Sequence, residues 1–135
     1  MSLPAPGDAL AEHRIPRVTA EGMKGMSILA EDPNPIHLDR ETVKALGLGD
    51  RIINQGPINL GYMIDMIRAN FPQGRITRFQ ARLLSNVFED DDVTAAGTVE
   101  SSEAVAEGTR LVTRVWLDVA GAGRAVEGTI DVVVP

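Results

Sequence analysis

Two periodicities divide this chain. Beyond Gly74 apolar and polar residues alternate, most cleanly at the end, where Val126, Gly128, Ile130, Val132 and Val134 fall on one side of an extended segment. The pattern predicts four strands, Arg75 to Phe88, Val93 to Ser101, Thr109 to Val119 and Arg124 to Val134. Ala120-Gly121-Ala122-Gly123 reads as a hairpin turn between the last two. Glu89-Asp90-Asp91-Asp92 reads as a second connection, and, lacking the spaced ligands and glycine of a calcium loop, as a solvated turn.

Before Gly74 the pattern is helical. Thr19 is placed to cap a helix running to about Glu31, with Met23, Met26, Ile28 and Leu29 available for burial. Asp39 caps a short helix through Leu46 that Gly47 ends. Pro57 suits the first position of a third helix reaching Asn70, because the N–H it lacks would be unpaired there anyway. That third segment is apolar around most of its circumference, which predicts a buried helix, with Met63 and Met66 as core filler. His13 to Val18 reads as a short edge strand, since Pro16 is tolerable only at an edge. A buried helix followed by a run of antiparallel strands implies an α+β fold in which a curved sheet wraps around a long central helix. Residues 1–12 are expected to be a flexible N-terminal segment and residues 13–135 a single domain.

Composition narrows the chemistry. The chain of 135 residues has no cysteine and two histidines, His13 and His37, so a disulfide framework, a thiol nucleophile and a multi-histidine metal cluster are all disfavoured. No metal and no cofactor are expected. A net charge of −6 argues against a nucleic-acid surface. No apolar run is long enough for a bilayer, and the N-terminal residues lack a signal-peptide pattern, so a cytoplasmic protein without membrane association is the expectation.

One stretch concentrates the remaining candidates. Asp32-Pro33-Asn34-Pro35-Ile36-His37 sets a carboxylate and an imidazole five residues apart in a segment stiffened by two prolines. Each proline fixes its own φ and pushes the residue before it toward extended conformations, so the segment is a structured turn. Asn34 can pin the bend through its side chain, and an imidazole beside a carboxylate can move protons at neutral pH.

The surrounding residues carry a resemblance. Ala30-Glu31-Asp32-Pro33-Asn34-Pro35-Ile36-His37-Leu38-Asp39, then Ala45, Gly47 and Ile52-Ile53-Asn54-Gln55-Gly56, is similar to the signature of the MaoC-like dehydratases, a group that includes (R)-specific enoyl-CoA hydratases. The likeness extends from about Thr19 to the C-terminus. It implies a hot-dog fold and a hydro-lyase that hydrates trans-2-enoyl thioesters, or dehydrates 3-hydroxyacyl thioesters, on coenzyme A or a carrier protein. In that reading Asp32 and His37 are the catalytic pair, Asn34 orients them, and the N–H groups of Gly56 and Ile58 bind the thioester oxygen at the start of the central helix. Surface arginines, from Arg75 to Arg124, could gather at the entrance to meet the phosphates of the thiol carrier. By resemblance a homodimer is expected. The chain departs from the family in carrying Gln55 before the glycine, where histidine is common, and Pro57 after it. No residue of Tyr62-Met63-Ile64-Asp65 matches the serine that many family hydratases carry there. Two alternatives follow, a thioesterase using Asp32 to activate water, and a non-catalytic acyl-binding subunit of a heteromer.

Overall fold

The computed structural model describes residues 2–135. In chain order the elements are β1 (His13–Ile15), α1 (Ala20–Leu29), a single 3₁₀ turn (Pro35–His37), α2 (Arg40–Ala45), α3 (Gly56–Asn70), β2 (Arg75–Leu83), β3 (Val93–Val105), β4 (Gly108–Val119) and β5 (Gly123–Val134). The strands form one antiparallel sheet in the order β1-β3-β4-β5-β2. Register irregularities at Ile76/Arg78, Val99/Ser101 and Leu117/Asp118 interrupt the ladders. Such bulges bend strands and increase their twist. The bent sheet closes around α3, giving the hot-dog arrangement.

Burial follows the alternation in β4, whereas β5 is buried on both faces at Ile130–Val133. Leu111, Val115 and Leu117 of β4 and Val126, Ile130 and Val132 of β5 face Met63, Met66 and Ile67 of α3 in one continuous core. The two methionines are fully enclosed, as their spacing suggested. Gly128 lies where β2 crosses so closely that a Cβ would run into the Gln80 carbonyl, so the alternating pattern needs glycine at this inward position. α3 is less uniformly buried than its composition predicts: Asn59, Met63, Met66 and Ile67 are buried, while Pro57, Asp65, Arg68 and Ala69 are exposed.

Several boundaries differ from expectation. α3 begins at Gly56, so Pro57 is its second residue. β1 stops at Ile15 before Pro16, and β2 stops at Leu83 because the Leu84 and Ser85 amides both turn to the Ala125 carbonyl. The start of the chain is tied down where flexibility was expected. Gly7 and Leu10 donate to Val99 and Gly97 of β3, Val99 donates to Asp8, and the Asn70 side chain holds both the N–H and the carbonyl of Ala11. Leu10 supplies the physical reason, since it is buried in the core.

The acidic turn is ion-paired throughout and only partly solvated, where a solvated turn was expected. Glu89 is buried against Arg40, and Asp90, Asp91 and Asp92 pair with Arg17, Arg51 and Arg14. All four arginines come from the first 51 residues, so the turn fastens the helical half of the chain to the sheet. Among the described residues no helix is long and apolar enough to cross a membrane.

Candidate active site

The Asp32–His37 turn is set by the way α1 ends. Ala30 donates to Met26, Glu31 adopts a left-handed φ of 51°, and the Asp32 N–H returns to the Ser27 carbonyl at 2.9 Å. This is a Schellman-type termination, and it fixes the backbone of Asp32 relative to α1. The Asp32 carboxylate then accepts the Asn34 N–H at 3.1 Å, and the Asn34 side chain accepts the Ile36 N–H at 3.2 Å, capping the 3₁₀ turn that carries His37. Two adjoining side-chain caps therefore set the spacing between Asp32 and His37.

His37 is buried, and its Nδ1 lies 2.6 Å from the Ile53 carbonyl oxygen. A carbonyl can only accept, so Nδ1 carries a proton and donates it. That leaves Nε2 as the working nitrogen, facing Asp32 Oδ2 at 3.7 Å. The gap exceeds hydrogen-bond length but lets both groups hold a single water between them.

The second half of the site is the start of α3. Ile53 is fixed by donating to the Ile36 carbonyl and by pairing with Phe88, and Asn54 donates to Val87. Gln55 precedes the helix without capping it: its Nε2 instead donates to the Met23 carbonyl at 2.9 Å and Ser27 Oγ at 3.0 Å, locking α1 to the mouth of α3. Its Oε1 is buried without a partner among the described residues. The Gly56 N–H, at the first helical position, has no acceptor among the described residues. The Ile58 N–H does not share this freedom, because it donates to the Gln55 carbonyl at 3.0 Å. Of the two amides expected to bind a thioester oxygen, only Gly56 is available, since the tight first turn recruits the other.

His37 and Gly56 line one cavity of about 260 Å³ with Ile36, Asn54, Asn59 and Leu83. Asp32 lines a neighbouring hollow of about 540 Å³, walled mainly by Ile28, Pro33 and Leu38. The two hollows share no lining residue, but Asp32 of one and His37 of the other stand 3.7 Å apart. Thus Asp32, Asn34, His37 and Gly56 come together at the junction of α1 and α3.

The arginines do not join them as a group. Arg110 is committed to Glu103 and Asp131, and Arg124 to Asp118, while Arg82 and Arg114 line a separate hollow of about 540 Å³ with Glu100 and Glu127. Among the described residues no cluster of three or more His, Cys, Asp or Glu side chains is arranged to hold a metal ion.

Two cavity residues escape sequence reasoning. Asn54 and Asn59 are buried and bonded to each other, Asn54 Nδ2 to Asn59 Oδ1 at 2.8 Å, with Tyr62 Oη 3.5 Å from the same nitrogen. Burial raises the Tyr62 phenol above its ordinary value, so it stays protonated at neutral pH. For Asn59 the signal is a polar residue on the core-facing stripe of α3; Asn54, in the segment before the helix, gives none.

Comparison with known proteins accords with this geometry. No functionally curated protein matches the chain in sequence. Among solved structures, the R-hydratase PhaJ1 from Pseudomonas aeruginosa superposes with a TM-score of 0.81 at 17% identity, covering 96% of this chain and 81% of that one. An (R)-hydratase from A. caviae involved in PHA biosynthesis gives 0.81 at 21% identity, covering 95% and 97%. A chain of the ChsH1-ChsH2 complex from Mycobacterium tuberculosis gives 0.80 at 20% identity, covering 97% and 98%. These likenesses establish the fold. A family model described as the MaoC like domain matches residues 5–120, and the chain therefore belongs to the MaoC-like family.

Proposed function

We propose that this protein is a hydro-lyase that adds water reversibly across the double bond of trans-2-enoyl thioesters, carried on coenzyme A or an acyl-carrier protein. The observation that carries the reading is the His37 ring, held by Ile53 through Nδ1 so that Nε2 confronts Asp32 at 3.7 Å, on a residue that shares its cavity with Gly56. Family membership and the hydratases among its structural neighbours support the same reaction class.

In the forward direction a water held between Asp32 and His37 loses a proton to the pair as its oxygen bonds to the β-carbon. The π electrons move toward the thioester, giving an enolate-like transition state, and the pair returns a proton to the α-carbon. No other reactant is consumed. The Gly56 N–H and the dipole of α3 stabilise charge developing on the thioester oxygen. Asn34 acts by holding Asp32 and capping the turn that bears His37. The hollow walled by Ile28 and Leu38 offers apolar surface to an acyl chain on the Asp32 side. Ile28, Leu38, Leu83 and Leu84 line these hollows and are left exposed, which supports a homodimer that covers them.

The test is loss of enoyl-thioester absorbance with trans-2-enoyl-CoA substrates of graded chain length, with product identification, in wild type, Asp32→Asn and His37→Gln. Hydration without thiol release, abolished by either substitution, is expected. Release of free thiol would replace hydration by hydrolysis, and folded variants with near wild-type turnover would overturn the assignment of the pair.

A further inference from the structure

The start of α3 is short of donors. Pro57 has no N–H, and the Ile58 and Asn59 amides both donate to the Gln55 carbonyl, at 3.0 and 3.3 Å. One backbone donor, Gly56, therefore remains for a thioester oxygen, whereas charge of this kind is ordinarily met by two or more donors. We propose that the side-chain amide of Asn59 is the second donor of this oxyanion site, an inference that rests on the thioester reading above.

Three observations converge on Asn59. It stands three residues after Gly56, hence on the same face of α3, and helical side chains lean back toward the N-terminus, so its amide covers the turn that Gly56 opens. It is 4% exposed, and it occupies the stripe shared with Met63, Met66 and Ile67, where an aliphatic residue would pack without a desolvation cost. Its orientation is fixed, because Asn54 Nδ2 donates to Asn59 Oδ1 at 2.8 Å and turns the Asn59 NH₂ away from Asn54. That NH₂ has no acceptor among the described residues, and Asn59 lines the cavity shared with His37 and Gly56. The residue is buried, yet this nitrogen is not sealed in the core, since Gln55 Oε1 alone is an enclosed polar side-chain atom without a partner among the described residues; Asn59 Nδ2 is an oriented donor open to the cavity. Its natural complement is an oxygen bearing negative charge.

The chemistry differs from a general polar lining. As the enolate-like transition state forms, the thioester oxygen gains charge, and the hydrogen bonds from Gly56 N–H and Asn59 Nδ2 strengthen. The interaction belongs more to the transition state than to the bound substrate, so its loss falls on kcat rather than on KM.

The experiment uses the full chain, trans-2-enoyl-CoA substrates and two substitutions. Asn59→Asp keeps the shape and the acceptor for Asn54 while removing the donor, so it tests the role without a cavity in the core; Asn59→Leu removes all polarity. Both are expected to lower kcat by about 10²–10³-fold with KM changed only a few-fold. Infrared difference spectra of a bound saturated acyl-CoA, ¹³C-labelled at the carbonyl, supply a readout independent of turnover. The carbonyl stretch should fall in frequency on binding to wild type and to His37→Gln, and fall less in both Asn59 variants. A wild type that turns over, with Asn59→Asp retaining full kcat or an unchanged carbonyl shift, would overturn this inference and leave the hydratase reading standing. A wild type with neither turnover nor a carbonyl shift would overturn both.

Discussion

Two corners of this molecule treat their polar groups in opposite ways. In the turn after β2, Glu89, Asp90, Asp91 and Asp92 each meet a separate arginine, at 2.5, 2.6, 2.9 and 2.7 Å, and no carboxylate is left without a cation. At the α1–α3 junction, His37, Gly56 and Asn59 line one cavity, and His37 Nε2, the Gly56 N–H and the Asn59 NH₂ have no hydrogen-bond partner among the described residues. One corner satisfies its charges internally; the other keeps polar groups unpaired, as the proposed binding of a ligand would require. The corners also touch: Glu89 exchanges hydrogen bonds with Ile52, beside the Ile53 carbonyl that aims His37. The paired corner acts as a frame for the open one.

The largest expected effect separates the two corners outright. Asp32→Asn should lower kcat/KM for enoyl-thioester hydration at least about 100-fold, in line with general acid–base contributions. Its side chain is 41% exposed and makes one hydrogen bond, so the melting temperature should scarcely move. Arg17→Ala, which breaks an exposed pair in the other corner, should change neither quantity appreciably. Kinetics and thermal melts on the two variants check the contrast; equal kinetic losses would erase it.

Next comes the frame itself. Arg40→Met leaves the Glu89 carboxylate, 5% exposed, with little beyond the Ile52 N–H. Arg40 is itself 62% exposed and solvent-screened, so a modest loss of stability is expected. The hydrogen bond from Arg40 holds the Glu89 carboxyl below the ordinary carboxylate range. A folded-state pKa below the unfolded one gives stability that is complete above the unfolded carboxylate value and is lost as pH falls through the folded one. Urea unfolding at a series of pH values should therefore show a stability gap between wild type and Arg40→Met that is widest near neutrality and closes in acid. A gap that persists unchanged in acid would mean that Arg40 acts through packing instead.

What the sequence made legible follows the range of the interactions. The strand at β5, the caps at Thr19 and Asp39 and the Asp32–Asn34–His37 turn are local, and each stands where the residues predict, although both faces of β5 are buried at Ile130–Val133. The arginine clamps were not legible, because pairs such as Arg14 with Asp92 lie 78 residues apart and nothing local distinguishes a clamped acidic run from a solvated one. The same limit hid the seat of Leu10 and the pinning of residues 7–11. Ile58 was assigned an open amide because counting from a proline cannot show that the first turn closes as tightly as it does. Gln55 looked like a simple departure from the family pattern, whereas its amide bridges 28 residues back to Ser27.

A smaller effect sharpens the open corner. At Gly56 an added Cβ would stand 3.2 Å from Leu83 Cδ1. Leu83 is 61% exposed and can swing aside, and alanine favours a helix by about 0.5–1 kcal/mol, so Gly56→Ala should fold with stability close to wild type. The methyl group narrows the cavity beside the N–H proposed to meet the thioester, and turnover should fall about tenfold, equivalent to about 1.4 kcal/mol of barrier. Steady-state kinetics beside chemical denaturation test this, and a large stability loss with normal turnover would reverse the roles assigned to Gly56 and Leu83.

The smallest effect concerns Glu31, whose φ of 51° is unusual for a residue with a side chain. It is exposed, its side chain makes no hydrogen bond among the described residues, and its position is the one where glycine ordinarily ends a helix. Glu31→Gly removes left-handed strain of about 1–2 kcal/mol but gives the unfolded chain more freedom, so a net gain near 0.5 kcal/mol is expected. Activity is the more informative readout. If the Schellman turn alone aims Asp32, its hydrogen bond to Ser27 survives the substitution and turnover stays unchanged. A Glu31→Gly protein that gains stability yet loses turnover would mean that the strained residue itself stiffens the approach of Asp32 to His37, and the open corner would then owe its geometry to strain as well as to hydrogen bonds.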